Sequence, residues 1–233
     1  DVFGLELEGN MLMWRQLIKQ KKKLYSVFNF VRNGLWTRGL KAKVGERTLI
    51  SGIKVRESGG GNNKLYVGND VKIQNCKITI TGDNNRIYIG DNCSLRGTDF
   101  YIENDSNEIY IDDGTTTTNA VIISAIEGTK ISIGKDCMIS SDIYMSTGDG
   151  HTVCDKDSAY RTNISQNIEI GDHVWIGTRV IIGKGCKIGK NSIIAAGSVC
   201  TEGCLRDEKS NVIIGGNPAR VMKGDVNWLR ERI

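Results

Sequence analysis

The stretch IEIGDHVWIGTRVIIGKGCKIGKNSIIAAGS, residues 168–198, repeats itself every six residues. Ile170, Ile176, Ile182, Ile188 and Ile194 stand six apart, and Gly171, Gly177, Gly183 and Gly189 follow the first four. Four residues after each isoleucine comes a smaller side chain: Val174, Val180, Cys186, Ser192 and Ser198. This is not the period of a helix, and a simple strand alternates every two residues. A six-residue unit is instead a short strand plus a corner, and three units close a triangular coil. Each isoleucine then points inward and stacks on the isoleucine of the next coil. Glycine, asparagine or aspartate at a corner tolerates left-handed backbone angles.

Working outward, the same pattern recurs upstream at a longer spacing. The words NNKLYVGND, NNRIYIGDN, SNEIYIDDG and GTKISIGKD begin at residues 62, 84, 106 and 128, one every twenty-two residues. They read as the same coil with about four extra residues at one corner. A β-sandwich of short strands gives no reason for so strict a count.

Composition agrees with a repeat. Twenty-eight glycines with one proline point to many corners of one kind and not to disordered linker. Hydrophobic content of 39% and charged content of 25% are ordinary for a folded soluble chain. No run of eighteen apolar residues and no signal peptide is read from the sequence. The seven cysteines lie mostly inside aliphatic repeats, as Cys93, Cys137 and Cys186 do, and fit buried thiols in a reducing, cytoplasmic setting.

The net charge of +4 is uneven: residues 11–47 carry ten Lys or Arg and one acid, Glu46. A nucleic-acid binder would spread its basic residues over a folded face, so nucleic acid is not expected as a partner. Residues 12–36 show near-helical spacing of Leu12, Trp14, Leu17, Ile18, Leu24, Tyr25, Phe28 and Val31. Two readings stay open for this basic segment. It is a helical cap on the first coil, or it contacts the inner face of a membrane through residues 11–38. Residues 1–10 read as a cloning remnant, residues 48–217 as the β-helix domain, and residues 218–233 as a tail ending in a short helix.

One break interrupts the register. Residues 146–167, STGDGHTVCDKDSAYRTNISQN, hold no inward aliphatic period, and a long loop leaving a regular solenoid usually carries function. The loop contains His151, one of two histidines in the chain. Histidine suits proton abstraction near neutral pH, and Asp149 or Asp142 is expected to orient it. Cys154, three residues on, makes a Cys–His pair with a covalent intermediate the weaker alternative.

The words SSDIYMSTGDGH, the repeat through Glu202 and IIGGNPARVMKG resemble the hexapeptide-repeat acyltransferases. They are most similar to the branch with galactoside, maltose and sialic acid O-acetyltransferases, and the resemblance spans roughly residues 60–224. It implies a left-handed parallel β-helix, against the usual right-handed crossover. It also implies a homotrimer with acetyl-CoA bound between subunits, a sugar or polysaccharide hydroxyl as acceptor, and no metal. By the resemblance, His151 is the general base. Trp175, Gly177, Thr178, Ala195, Ala196, Thr201, Arg220 and Lys223 fall on the cofactor-binding positions, while Glu202 stands where the family usually has Lys. Thr178 or backbone N–H groups would stabilise the oxyanion.

Three other classes compete. N-acetylation of an amino or nucleotide sugar would use the same base. A carbonic-anhydrase-like zinc site needs three histidines, and only His151 and His173 exist. A non-catalytic scaffold would have no need of His151.

Overall fold

The computed structural model describes residues 40–59, 61–202 and 209–233. The readings made for residues 1–39, cloning remnant, cap and membrane contact, therefore lie outside the described residues. Within them the chain is a three-faced parallel β-solenoid of about eight turns, as the repeat predicts. The first face runs from Leu40–Val44 to Lys187–Ile188, the second from Leu49–Ser51 to Ile213–Gly216, and the third from Lys54–Ser58 to Val199–Cys200. Neighbouring strands are parallel throughout, except for one antiparallel strand, Ala219–Lys223, closing the second face.

The inward side chains are those the period selects. Ile170, Ile176, Ile182, Ile188 and Ile194 are all buried, as are Ile87, Ile109 and Ile131 upstream. Full burial of one such side chain is worth about 1.5–3 kcal/mol. Strand pairing turns the spacing into coil lengths. Lys64 pairs with Arg86 and Arg86 with Glu108, 22 residues apart, whereas Ile170 pairs with Ile188, 18 apart. The extra length has one address. Phe100 occupies the inward place that Ile182 holds in a short coil, through the pairings of Phe100 with Ile123, Ile123 with Met145 and Met145 with Ile182. The wide corner is therefore the one from the third face to the first.

That corner is lined by buried asparagines. The backbone N–H of Asn85 donates to Asn63 Oδ1 at 2.9 Å, that of Asn107 to Asn85 Oδ1 at 2.8 Å, and that of Thr129 to Asn107 Oδ1 at 3.0 Å. A side-chain amide can accept here from the next coil's backbone, which satisfies donors that a wider corner would otherwise orphan. Five free cysteines are buried, Cys76, Cys93, Cys137, Cys186 and Cys200, and burial pushes the thiols of Cys93 and Cys137 up to about 11. These are packing residues.

The expected C-terminal helix is corrected. No helix occurs among the described residues. Ile213–Gly216 turns back through Pro218 and pairs with Ala219–Lys223, and the last ten residues are irregular. The tail is extended because two side chains, two residues apart, reach the same surface. Trp228 is 5% exposed; it stacks on His173 at 4.0 Å and donates from Nε1 to the His173 carbonyl at 2.8 Å. Arg230 donates to Asp136 Oδ1 at 2.7 Å and to the Cys137 carbonyl at 3.0 Å. A helix this short has little stability of its own to compete with those contacts. His173 is thus part of a clasp, with Nδ1 2.7 Å from Asp136 and Nε2 3.0 Å from the Trp228 carbonyl. Burial pushes the Asp136 carboxyl up, but hydrogen bonds from His173 and Arg230 outweigh it and leave it below the usual carboxylate range.

Candidate active site

The break in the repeat is an elaboration of the wide corner. Strand Ile143–Ser146 ends the third face and Ile168–Ile170 resumes the first, so the first-face register jumps from Ile131 to Ile168. Between them the chain leaves the solenoid, forms a small hairpin through the antiparallel bridge of Cys154 and Arg161, and returns. Asp155 closes the tip by accepting from the N–H groups of Asp157 and Ser158 at 3.0 and 2.9 Å.

The base of the loop is stitched to the solenoid by side chains. Arg161 forks onto Glu127 at 2.7 and 2.8 Å, and Ser165 Oγ donates to Glu127 at 2.6 Å. Those bonds, Arg161 first, hold the Glu127 carboxyl below its usual range. Asn163 is the hub. Its Nδ2 donates to the His151 carbonyl at 2.7 Å and to Asp149 Oδ2 at 2.9 Å, while its Oδ1 accepts from the Val153 N–H at 2.7 Å. Gly148 is closely packed where the loop departs: a Cβ there would lie 2.3 Å from Ser165 Oγ and 2.6 Å from Ile126 Cδ1, so those side chains would have to shift.

His151 itself is exposed, and among the described residues its ring makes no hydrogen bond. It sits at the rim of a concavity of about 490 Å³ on the outer side of the third face. Asp149 lines the same concavity, but its Oδ2 is taken by Lys184 Nζ at 2.6 Å and by Asn163. Lys184, then Asn163, holds the Asp149 carboxyl below its usual range. Asp149 thus holds the loop rather than the imidazole. Asp142, exposed with a φ of 59°, lies at the corner from the second face to the third, across the third face from His151. Cys154 is exposed on the loop hairpin.

The residues expected to hold the cofactor sort by corner. Gly177, Thr178, Ala195 and Ala196 share the second-to-third corner, on successive coils: the Gly177 N–H donates to Ile194 and that of Gly197 to Thr178. Gly177 is forced by this stacking, since a Cβ would stand 2.7 Å from the Ala196 nitrogen. Gly215 continues the column, its Cβ position 3.3 Å from Ala195 Cβ, and Arg220 pairs with Gly215. Trp175 is on the adjacent second face, 36% exposed, and Lys223 is exposed at the end of the last strand. Thr201 stands apart, at the third-to-first corner above Lys184. The Thr178 hydroxyl donates to the Ser141 carbonyl at 2.9 Å. Met222 lies over the end of this column, its Sδ 2.4 Å from the Gly215 Cβ position.

Asn163, Lys184, Arg161 and Glu127 were not singled out by sequence reasoning. Arg161 meets Glu127 across 34 residues and Lys184 meets Asp149 across 35, in no periodic pattern. Only the loop boundaries hinted that something had to hold it.

Residues 167–202 match the bacterial transferase hexapeptide model of six repeats. Polysialic acid O-acetyltransferases of Neisseria meningitidis and of Escherichia coli O1:K1 / APEC are 33% and 36% identical over 114 and 115 residues. Each alignment covers 49% of this chain, and they cover 52% and 36% of the relatives, so the chain spans about half or less of the curated relatives it matches. The crystal structure of a polysialic acid O-acetyltransferase superposes with a TM-score of 0.72 at 28% identity, over 84% of this chain and 92% of that one. In sequence and in fold, the chain resembles the sugar O-acetyltransferase branch of the hexapeptide-repeat acetyltransferases.

Proposed function

We propose that this chain transfers an acetyl group from acetyl-CoA to a hydroxyl of a sugar, in a bacterial surface polysaccharide or its precursor. The observation that supports this most is His151 at the rim of a concavity, on a loop tied to the rigid solenoid. The relatives named as O-acetyltransferases support the hydroxyl, rather than an amine, as acceptor.

In this reading His151 accepts the proton of the attacking hydroxyl, whose oxygen bonds to the acyl carbon as the carbon–sulfur bond breaks. The imidazolium then returns the proton to the departing sulfur. Acetyl-CoA would supply the activated acyl group, held by Gly177, Ala195 and Ala196, with Arg220 and Lys223 towards its phosphates. Backbone N–H groups at that corner face the developing oxyanion. Within one chain His151 and the column flank opposite edges of the third face. The family resemblance supports a homotrimer as the active unit, in which the loop of one subunit faces the column of the next.

Thiol release from acetyl-CoA, followed against a panel of sugars and capsular oligosaccharides, tests the reading. We expect acceptor-dependent turnover that falls about 10²- to 10⁴-fold in His151→Ala, with the circular dichroism spectrum unchanged. Turnover that survives the substitution would move the base elsewhere on the loop.

A further inference from the structure

The C-terminal tail does more than close the last coil. After Ala219–Lys223 it runs back along the first-to-second corner. The Val226 N–H donates to the Asn211 carbonyl of the last coil, Trp228 lies on His173, and Arg230 reaches Asp136, Cys137 and Gly114 on earlier coils. A cap needs contacts with the terminal coil only. Leu229, between the two anchoring side chains, is 55% exposed, so the alternation of an extended chain turns Trp228 and Arg230 onto the solenoid together.

Trp228 is buried, and one of the rings it meets is Trp175: the two indoles stand 6.2 Å apart at 48°. Trp228 is itself firmly braced. It stacks on the His173 ring at 7°, donates from Nε1 to the His173 carbonyl, and carries the Arg230 guanidinium 5.9 Å from its ring centre. His173 is held in turn between Asp136 and the Trp228 carbonyl. Trp175 has no such bracing of its own. It points outward from the two-residue strand Trp175–Ile176, and its indole N–H makes no hydrogen bond among the described residues. Its neighbours along the outward column are Met138 and Ile193, which offer apolar contact but no polar anchor. Such a ring has several staggered rotamers open to it. A tilted aromatic neighbour favours one of them by about two- to tenfold.

We infer that Trp228 is a positioning residue for the transfer site: braced by His173 and Arg230, its indole holds the Trp175 ring in the orientation that receives the acyl donor. The inference rests on the acetyl-transfer reading, in which Gly177, two residues after Trp175, borders acetyl-CoA. Two residues of strand span about 7 Å, so the Trp175 indole is long enough to cover or to clear that corner according to its rotamer. The tail fixes which of the two it does.

The test uses the full chain labelled with 5-fluorotryptophan, the Trp175 fluorine signal being identified by its loss in Trp175→Phe. Wild type without acetyl-CoA should give one narrow Trp175 line. Trp228→Leu keeps apolar bulk at the corner but removes the ring. It should broaden or split that line and raise the calorimetric Kd for acetyl-CoA about two- to tenfold. Trp228→Phe keeps a ring beside Trp175 and loses the bond to the His173 carbonyl; it should restore the single line and bring the Kd to within about twofold of wild type. Arg230→Gln leaves both indoles in place and should move the same two readouts the same way, by less; it carries the test if Trp228→Leu does not fold. A Trp175 line that stays single in Trp228→Leu would overturn the inference, as would a line that splits while the Kd keeps its wild-type value. So would a Kd that Trp228→Phe raises as far as Trp228→Leu does, the mark of a tail that only stabilises the fold. Wild type whose Trp175 line responds to Trp228→Leu but which binds no acetyl-CoA would defeat the acetyl-transfer reading, and the donor's place in this inference with it.

Discussion

Two halves of one solenoid use the same inward residues and build different surfaces. Through Ser146 successive coils advance by 22 or 23 residues, and from Ile168 they advance by 18 until a last step of 20 from Ile193 to Ile213. Inside, nothing changes: Ile109 in the long-coil half and Ile176 in the short-coil half are equally buried. Outside, the surplus residues gather at the third-to-first corner, where they lengthen the third-face strands and finally eject the loop with His151. The short coils have no surplus. Their tight corners stack Gly177 under Ala196, with Gly215 following beneath the Met222 side chain. The stacking positions fix the fold, and corner length decides which surface the fold presents.

The comparison is broken most severely from inside. Ile109→Ala and Ile176→Ala should each cost about 2–5 kcal/mol in denaturant unfolding, because both leave a cavity in the same close-packed stack. The outward Ile181→Ala, at a position 43% exposed, should cost well under half as much. If one inward substitution proved neutral, the two halves would not share one core. The next effect separates the corner from the column. Asn163→Ala removes the bonds to the His151 carbonyl, Asp149 and the Val153 N–H. Its kcat should fall about 10- to 100-fold with the KM for acetyl-CoA unchanged, since the column is untouched. A raised KM with unaltered kcat would place Asn163 in cofactor binding instead.

The smallest effect is on pH. Glu127 and Asp149 have folded-state pKa values below their ordinary ones. Their contribution is fully present above the ordinary carboxylate range near pH 4 and is lost as pH falls through the lower folded values. Amide exchange in residues 149–165 should therefore begin to rise only below about pH 4, ahead of the buried coils. A loop equally protected at pH 2 and pH 6 would deny those ion pairs a role.

The solenoid was legible because its period is written in residues that must be buried, and the loop because it breaks that period. The internal ties of the loop were not legible. Arg161 to Glu127 and Lys184 to Asp149 span 34 and 35 residues, so only folding brings them together. Asp149 was expected beside the imidazole and is drawn to Lys184 instead. The tail was expected as a helical stretch ending WLRERI, but extended spacing lets Trp228 and Arg230 both reach the first-to-second corner, at His173 and Asp136. Thr201 was grouped with Ala195 by resemblance, and coil geometry puts the width of the third face between them.

The most direct test of the central claim, that the long-coil loop of one subunit completes the short-coil column of another, is complementation. His151→Ala lacks the base, and Ala195→Trp obstructs the column; each alone should be nearly inactive in acetyl-CoA thiol release. When the two are unfolded together, mixed and refolded, activity should recover, because some sites pair an intact loop with an intact column. A mixture as inactive as its parents, with mixed oligomers verified by mass, would mean that each chain builds its site alone.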